Sequence, residues 1–390
     1  METMAVAGGR VLTPFRDLSS GVVLIRDGRI DAVGSAGDVD IPLETAVIDA
    51  SGCTIVPGFV DIHVHGGAGA DFLDASLNAI DTACAFHASG GTTALLATLR
   101  TAPVDDIVRA LVVLREAVGK PRAGANVAGV HIEGPYFAPA EAGAQPPDSI
   151  KDPDPQEWNR MLAFADIVKR MSVAPERPRA LELGKELVAL GIVASIGHTA
   201  ATLDDVVAAI EAGYSHATHM YSSMSGLRRV QAYRILGVIE ATLLFDELST
   251  EMIADGRHLP PNLIRLIIKA KGLDRLCVCT DAVRVAGFQP GEHTFAGRTV
   301  LVEDGVAKLP DRSFFAGSTA TMDRCVRTMV HEVGLGLQDA VKLATTNPAR
   351  FMRLDAERGS LVPGKRADLV LLDDALTVQK TIVGGQVVFG

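Results

Sequence analysis

Short apolar segments alternate with longer amphipathic segments through the middle of the chain. This pattern is typical of a parallel α/β fold, in which a helix follows each buried strand. Eight segments qualify as strands, the number that closes a (β/α)8 TIM barrel. The predicted strands are Gly58–Val64, Thr93–Leu99, Val127–Glu133, Lys169–Val173, Ile192–Gly197, Ala217–Tyr221, Thr250–Ala254 and Arg275–Thr280. An open doubly wound sheet is the alternative, but no Gly-rich phosphate-binding fingerprint follows the first strand, which argues against it.

Both ends of the chain carry short segments of alternating polarity between Gly turns, for example 21–26 near the start and 367–372 near the end. Alternation with this spacing predicts small antiparallel sheets. Neither end is long enough to bury a core by itself, so we predict that the two ends combine. The expected division is a small β-sandwich domain of residues 1–56 and 360–390 beside a barrel of residues 57–359.

The composition limits the class of partner and the compartment. The 390 residues carry a formal net charge of −10, which disfavours nucleic acid and anionic membranes as partners. No apolar run has the length of a membrane span, and the first residues lack the pattern of a secretory signal. The five cysteines are scattered and odd in number, which fits a reducing compartment. We therefore expect a cytoplasmic protein.

Five of the predicted strands end in a residue that can bind a metal ion or move a proton. All strands of a TIM barrel end at one mouth, so these side chains are expected to meet there. They are His63, His65, Glu133, His198, His219 and Asp281. A single histidine at a strand end is more often a satisfied polar group. Six such groups favour a metal site, because packing them together without a metal buries uncompensated polar groups. Imidazoles that share a carboxylate suit Zn²⁺, Fe²⁺ or a similar divalent ion.

The remaining histidines and the paired cysteines are given lesser roles. His131 either supports a metal ligand or is a satisfied barrel residue, and the sequence favours neither. His258 follows the seventh strand at the mouth, which favours a role in substrate binding. His216 is expected to face away from the site. Cys277 and Cys279 are interpreted as small apolar residues that fill the barrel.

Motifs at the strand ends and at both limits of the barrel carry a family resemblance. They include Pro57-Gly58-Phe59-Val60-Asp61-Ile62-His63, His131-Ile132-Glu133-Gly134-Pro135, Gly197-His198-Thr199, His216-Ala217-Thr218-His219, Thr280-Asp281-Ala282 and Pro363-Gly364-Lys365-Arg366-Ala367-Asp368-Leu369. With these motifs the chain resembles the amidohydrolase superfamily and, within it, the N-acetylglucosamine-6-phosphate deacetylase family. Many superfamily members bridge two metals with a lysine-derived carbamate on the fourth strand. This family is similar to the present chain in using a glutamate on the third strand, here Glu133.

The resemblance implies a metal-dependent hydrolase that removes the acetyl group from a small N-acetylated amino sugar and forms a homodimer. It implies one or two divalent ions, with Zn or Fe favoured. The implied ligands of the first ion are Glu133, His198 and His219. The implied ligands of the second ion are His63 and His65, with Glu133 bridging. Asp281 is implied as the general base and acid. The implied substrate-binding positions are Ala144, Gln145, Ser222, Ser223, His258, Phe315, Ala316 and Gly317.

The chain departs from the family pattern where the substrate is expected to bind. The family reads Asn-Ala-Met just past the sixth strand, and this chain reads Ser222-Ser223-Met224. The family then carries an arginine that contacts the sugar phosphate, and Val230 stands at the aligned position. Arg228, Arg229 and Arg234 are close to Val230 in the sequence, and Arg284 lies three residues after Asp281, an unusual position for an arginine. A guanidinium group suits phosphate or carboxylate, so these residues are candidates to replace the missing arginine, although each is more often a solvated surface charge.

Three functions follow as hypotheses. The first is deacetylation of N-acetylglucosamine 6-phosphate or a close relative. The second is the same chemistry on a non-phosphorylated or differently charged N-acyl amino sugar or amine. The third is a barrel that has lost its chemistry, which the six intact metal and proton-transfer positions disfavour. We also expect a 6-phosphate to help this enzyme less than it helps family members with the usual arginine.

Overall fold

Eight parallel strands form a closed barrel at the centre of the computed structural model, which describes residues 3–295 and 298–390. In the barrel sheet each strand pairs in parallel with the next one along the chain. The first and last strands meet through a parallel bridge between Val64 and Ala282, and the amide of Asp281 donates to the carbonyl of His63 at 2.8 Å. The (β/α)8 TIM barrel predicted from the sequence is therefore confirmed.

The strands are numbered in chain order. They are β1 (Thr3–Ala7), β2 (Arg10–Leu12), β3 (Asp17–Leu18), β4 (Gly21–Arg26), β5 (Arg29–Ser35), β6 (Ala46–Asp49), β7 (Thr54–Pro57), β8 (Phe59–Val64), β9 (Gly66–Gly67), β10 (Ala70–Asp71), β11 (Thr92–Leu99), β12 (Asn126–Glu133), β13 (Val168–Val173), β14 (Val193–Ile196), β15 (His216–Ala217), β16 (Arg228–Val230), β17 (Tyr233–Ile235), β18 (Ser249–Ile253), β19 (Leu276–Cys279), β20 (Gly291–Phe295), β21 (Arg298–Glu303), β22 (Val306–Lys308), β23 (Phe315–Ser318), β24 (Leu369–Leu372), β25 (Val378–Val383) and β26 (Gln386–Phe389). The barrel strands are β8, β11, β12, β13, β14, β15, β18 and β19.

The α-helices pack around the barrel. They are α1 (Leu77–Ser89), α2 (Val104–Ala117), α3 (Pro155–Leu162), α4 (Ala180–Ala189), α5 (Leu203–Glu211), α6 (Val238–Leu244), α7 (Pro261–Lys271), α8 (Met322–Arg327), α9 (Leu337–Ala344) and α10 (Thr346–Phe351). No helix of the described part of the chain is long and apolar enough to cross a membrane.

Alternation along the strands separates an apolar outer layer from a polar interior. On β8, Val60 and Ile62 belong to a hydrophobic cluster that includes Met352, which lies just past α10. Between them, Asp61 accepts a hydrogen bond from the Thr280 hydroxyl at 2.5 Å inside the barrel. Because successive side chains of a strand point to opposite faces, the polar residues of β8 all point inward. This parity aims the strand-end histidines at the mouth.

The sixth barrel strand is shorter than the sequence predicted. We predicted a strand over Ala217–Tyr221, but β15 covers only His216–Ala217. The chain leaves the sheet here because His219 and Tyr221 adopt φ of +28° and +71°, values incompatible with an extended strand. The prediction was wrong because polar turn residues at a site break the apolar alternation that marks a strand.

The two chain ends share a pair of sheets beside the barrel. One sheet has the order β5-β4-β1-β6, and the other has the order β26-β25-β24-β7-β2-β3. The C-terminal β24 pairs antiparallel with the N-terminal β7, so neither end completes this sheet alone. Residues from both ends, including Val23, Ile55 and Leu369, form a separate buried cluster. These contacts agree with the β-sandwich predicted from both termini, and the division at residues 1–56 and 360–390 stays a prediction.

An antiparallel sheet that the sequence did not predict follows the last barrel strand. It has the order β20-β21-β22-β23 and returns the chain to the barrel at Ser318, which pairs with Ala282. The Ser318 amide donates to the carbonyl of Asp281 at 2.8 Å. This sheet therefore forms one wall above the barrel mouth.

Candidate metal centre and active site

Six side chains that the sequence predicted to meet lie together at the C-terminal mouth of the barrel. Each residue is part of a barrel strand or lies within two residues of one, and all are buried, with exposed fractions of 0–8%. The six residues are His63, His65, Glu133, His198, His219 and Asp281. Their convergence brings together parts of the chain that are more than 200 residues apart.

The Glu133 carboxylate is the centre of this cluster. Its Oε1 atom lies 3.1 Å from Nε2 of His219 and 3.3 Å from Nε2 of both His198 and His63. Its Oε2 atom lies 3.4 Å from Nε2 of His65. Three groups of the described residues are spaced closely enough to hold an ion: two include Glu133, and the third consists of His63, Glu251 and Cys279. One carboxylate flanked by two pairs of imidazoles suits two adjacent divalent ions or one.

The hydrogen-bond partners of two histidines fix the tautomers that suit a metal. Nδ1 of His63 donates to Oε1 of Glu251 at 2.7 Å, and Nδ1 of His198 donates to the carbonyl of Glu141 at 2.9 Å. Because the Nδ1 protons are taken by these acceptors, each Nε2 can present a lone pair to an ion bound beside Glu133. Nε2 of His63 is buried and has no hydrogen-bond partner. Donation of the outer ring nitrogen to a carboxylate or carbonyl is characteristic of metal-binding histidines.

The electrostatic field at the cluster favours a cation. Burial alone would lower the pKa of His63, but the carboxylates of Glu133, Glu251 and Asp281 raise it well above the usual range. Burial would likewise raise the pKa of Glu133, but the surrounding imidazoles, His63 first, hold it well below its usual range. Acids that stay ionised in a buried site attract a positive ion. The residues present therefore fit a divalent metal.

Asp281 lies against the same cluster and is ionised. Its Oδ1 atom is 3.2 Å from Nε2 of His65 and 3.4 Å from Nε2 of His63. Burial would raise its pKa, and the charges of His63 and His65 with a hydrogen bond from His65 lower it below the usual value. A carboxylate in this state can accept a proton. Gly317 allows the wall to approach closely, because a Cβ there would lie 3.0 Å from the carbonyl of Asp281.

The backbone at the mouth is strained at the residues that carry the chemistry. His198, His219 and Asp281 adopt φ of +47°, +28° and +48°, in the region that non-glycine residues rarely enter. Each such conformation costs about 1–3 kcal/mol and occurs most often at functional sites. The turn after His198 is held by a capping box between Thr202 and Asp205 at the start of α5.

The predicted substrate-binding residues all line one cavity of about 1030 Å³ above Glu133 and Asp281. They are Ala144, Gln145, Ser222, Ser223, His258, Phe315, Ala316 and Gly317. The Gln145 amide is already engaged, since its Nε2 donates to Oε2 of Glu133 at 2.6 Å and its Oε1 accepts from the Thr101 amide. Gln145 therefore holds the central carboxylate as well as lining the cavity.

The structure also shows the surroundings of the other histidines and of the two barrel cysteines. His131 donates or accepts at Ser172 and Thr98, at 2.8 Å and 3.3 Å, so it is a satisfied residue of the polar interior. Cys277 and Cys279 are fully buried, as expected of barrel filling. His216 contacts the Ser249 hydroxyl at 2.7 Å and is not in either group that includes Glu133.

A buried ion pair beneath the site was missed by the sequence analysis. Arg170 donates to both carboxylate oxygens of Glu251, at 2.6 Å and 2.7 Å, and both side chains are fully buried. Glu251 also accepts from Nδ1 of His63 and from the amide of His219, at 2.7 Å and 3.1 Å. The available signal was a charged residue in the middle of two predicted buried strands, the fourth and the seventh.

Comparison with known families agrees with this geometry. The profile described as the amidohydrolase family matches residues 54–388. The chain belongs to the amidohydrolase family. This amidohydrolase is 34% identical to N-acetylglucosamine-6-phosphate deacetylase of Bacillus subtilis (strain 168), over 100% of this chain and 98% of that one. It is 33% identical to N-acetylgalactosamine-6-phosphate deacetylase of Escherichia coli O157:H7, over 98% of this chain and 99% of that one.

The fold of this amidohydrolase is also similar to solved structures of N-acetylglucosamine-6-phosphate deacetylases. A variant of N-acetyl-D-glucosamine-6-phosphate deacetylase from Mycobacterium smegmatis, in complex with N-acetyl-D-glucosamine-6-phosphate, matches with a TM-score of 0.90 and 35% identity over the full length of both chains. The enzyme of that name from Pasteurella multocida matches with a TM-score of 0.91 and 30% identity, over 99% of both chains. An enamidase of the superfamily, with 18% identity and a TM-score of 0.64, shares the fold.

Proposed function

We propose that this amidohydrolase removes the N-acetyl group of an amino sugar phosphate, N-acetylglucosamine 6-phosphate or a close relative, and releases acetate and the free amine. The observation that carries the proposal is the arrangement at the mouth: four imidazoles face one buried carboxylate, and the ionised Asp281 lies beside them. The full-length similarity to two hexosamine-6-phosphate deacetylases supports the choice of substrate class.

The proposed metal ligands follow from the Glu133 cluster. Glu133, His198 and His219 would hold one ion, and His63 and His65 would hold a second with Glu133 bridging. Nitrogen and oxygen donors of this kind favour Zn²⁺ or Fe²⁺. When bound, a divalent ion lowers the pKa of water and polarises the amide carbonyl.

The protein's own residues supply proton transfer and orientation. The Asp281 carboxylate accepts the proton of the attacking water and then passes it to the amide nitrogen, because an unprotonated amine cannot leave. His65 steadies this carboxylate through the 3.2 Å contact at Oδ1. Glu251 holds the ring of His63 through Nδ1, and this contact keeps Nε2 directed toward Glu133.

The cavity walls position the sugar. His258 contacts Oδ2 of Asp255 through Nδ1 at 2.7 Å, which leaves its Nε2 for a substrate oxygen, and its ring packs on Phe315 with centroids 4.5 Å apart. The hydroxyls of Ser222 and Ser223 lie on the same lining. Ser222 is shorter than the family's asparagine, and Ser223 places a hydroxyl where the family has alanine. We infer that hydroxyl groups of the sugar bind at these positions.

A second candidate is the same reaction on an N-acetyl substrate without the 6-phosphate. The observation that favours it is the hairpin of β16 and β17: Val230 is 48% exposed there, and none of Arg228, Arg229 and Arg234 lines the cavity of the same chain. The arginine that the family uses for phosphate is thus not replaced by a neighbour within the cavity.

An acetate-release assay distinguishes the two candidates. The metal-loaded enzyme is offered N-acetylglucosamine, its 6-phosphate and N-acetylgalactosamine 6-phosphate. The highest kcat/KM on a 6-phosphate supports the first candidate, and the highest kcat/KM on the neutral sugar supports the second. Acetate release from none of them would overturn both.

A further inference from the structure

Several positive side chains line the cavity above the metal cluster. The formal net charge of the chain is −10, yet five cations line this cavity. They are Arg100, Arg284, Arg298, Lys308 and Arg312. A concave wall of one charge sign raises the local concentration of ligands of the opposite sign.

Two of these five cations, Lys308 and Arg312, are neutralised by the neighbouring acids Glu303 and Asp304. Glu303 contacts Nζ of Lys308 at 2.8 Å and Nε of Arg312 at 2.9 Å. The shared pairing lowers the pKa of Glu303 to about 2, first through the hydrogen bond from Arg312 and then through that from Lys308. These two side chains therefore do not supply the unpaired positive charge of the wall.

Two of the other three cations contact the same carboxylate, that of Asp71. Arg284 contacts Asp74 at 2.5 Å and Asp71 at 3.7 Å. Arg100 reaches the same Asp71 only at 4.0 Å. The other oxygen of Asp71, Oδ1, accepts from the amide of Leu73 at 2.9 Å. The Arg284 and Arg100 guanidinium groups thus share the Asp71 carboxylate, and the 4.0 Å separation leaves Arg100 weakly paired.

Arg298 is the cation of this group that lacks a counter-charge. It is the first residue of β21, where its backbone pairs with Phe295, and its guanidinium makes no hydrogen bond or ion pair with another residue in the described ranges 3–295 and 298–390. Its pKa is lowered, first by partial burial and then by the positive charge of Arg100. Two guanidinium groups that repel each other at a cavity wall are stabilised when an anion binds between them.

The positions of Arg100 and Arg284 in the barrel separate them from some of the predicted sugar-binding residues. Arg100 directly follows β11, and Arg284 lies three residues beyond Asp281, after β19. These strands flank β8 in the closed barrel. In contrast, His258 follows β18, and Ser222 lies in the turns after β15. Arg100 and Arg284 therefore follow different barrel strands from His258 and Ser222, whereas Gln145, which accepts from the amide of Thr101, and Phe315 on β23 lie on the cationic side.

We propose that Arg298 and Arg100 form a subsite for an oxyanion group of the substrate, either a phosphate or a carboxylate. The guanidinium fork suits both groups, because each presents paired acceptor oxygens. This inference rests on the proposed function, and it extends it by assigning the substrate's charge to residues that the family resemblance did not indicate. The subsite also replaces the contact that Val230 cannot make.

The test compares three substrates that differ only at C6 of the sugar. N-acetylglucosamine carries a hydroxyl there, its 6-phosphate carries a phosphate, and N-acetylglucosaminuronic acid carries a carboxylate. We expect Arg298→Met to lower the ratio of kcat/KM for the better anionic substrate to kcat/KM for the neutral sugar by about tenfold, the lower end for a hydrogen bond to a charged group. Arg160→Met, which changes an exposed arginine of α3 that pairs with Asp105, is the matched control and should leave this ratio unchanged. The anionic substrate whose kcat/KM falls more in Arg298→Met identifies whether the subsite binds phosphate or carboxylate.

A binding measurement separates this inference from the proposed function. Titration of N-acetylglucosamine 6-phosphate and of the uronic acid into Asp281→Asn protein, with and without Arg298→Met, measures anion affinity without turnover. If no substrate is hydrolysed but Arg298→Met weakens anion binding about tenfold, the proposed function fails and the subsite stands. The subsite is overturned if Arg298→Met has no more effect than Arg160→Met on either measurement. It is also overturned if Arg229→Met, on the β16–β17 hairpin, lowers the ratio and Arg298→Met does not.

Discussion

Oε1 of Glu251 lies 2.7 Å from Nδ1 of His63, on the side of the ring that faces away from Glu133. The same carboxylate is held by both terminal nitrogens of Arg170, so the orientation of a candidate metal ligand depends on a buried ion pair. Burying two charges is costly, and the pair persists because its hydrogen bonds satisfy both partners. The metal cluster is therefore built on a second polar layer inside the barrel.

The first prediction concerns this buried pair. Glu251→Gln leaves the charge of Arg170 uncompensated in the barrel, so we expect the free energy of unfolding to fall by about 3–5 kcal/mol. Urea unfolding at pH 7.5 measures the loss. The control is Glu303→Gln, which removes a carboxylate from a solvent-exposed pair with Arg312 and should lower the free energy of unfolding far less. Equal losses in the two variants would show that the buried pair has no special role.

A second prediction concerns metal binding. His219→Asn removes an imidazole whose Nε2 lies 3.1 Å from Glu133. Loss of a partner that merely orients a ligand weakens metal binding by about 10- to 100-fold, so loss of the ligand itself should cost more than about a hundredfold. Elemental analysis after dialysis measures the ion content. The partly exposed His293, changed to asparagine, serves as the control and should retain the wild-type content. Full metal content in His219→Asn would exclude it as a ligand.

A third prediction concerns acid stability. His87 is fully buried with Nε2 on the carbonyl of Gly66, and burial lowers its pKa to about 4. In the unfolded chain the pKa of this histidine is about 6.5, so as the pH falls the unfolded chain binds a proton at His87 before the folded protein does. The contribution of the neutral His87 to the free energy of unfolding is complete above pH 6.5 and is lost as the pH falls toward 4. Between pH 7.5 and pH 5 the wild type should therefore lose about 2 kcal/mol more than His87→Gln.

The check is urea unfolding of both proteins at the two pH values. The difference between wild type and His87→Gln at pH 7.5 sets the baseline, because the ring is neutral in both states there. A difference that stays constant down to pH 5 would mean that His87 does not titrate on unfolding.

The parts of the site that could be predicted from the sequence are those with a local signal. A histidine or acid at the end of an apolar strand is visible in the chain, and barrel closure brings such residues together. This is why Glu133 and Asp281 could be found without a structure. The sequence also predicts that His63 and His65, two residues apart on one strand, point to the same face.

The parts that could not be predicted depend on contacts between distant segments. The pairing of Arg170 with Glu251 joins two strands that are 81 residues apart, and neither residue belongs to a recognisable motif. The charge balance at Arg298 depends on Arg100 and on the β20–β23 sheet, which the alternation of the sequence did not reveal. The end of β15 at Ala217 depends on positive φ values that the strain of the site imposes.

The measurement that tests the central claim most directly is acetate release by Asp281→Asn from the best wild-type substrate, with metal content determined on the same sample. Asparagine fits the space beside His63 and His65 but cannot accept a proton. We predict wild-type metal content together with a kcat at least about a hundredfold lower, the minimum for loss of a general base. An Asp281→Asn protein that releases acetate at nearly the wild-type rate would contradict the account.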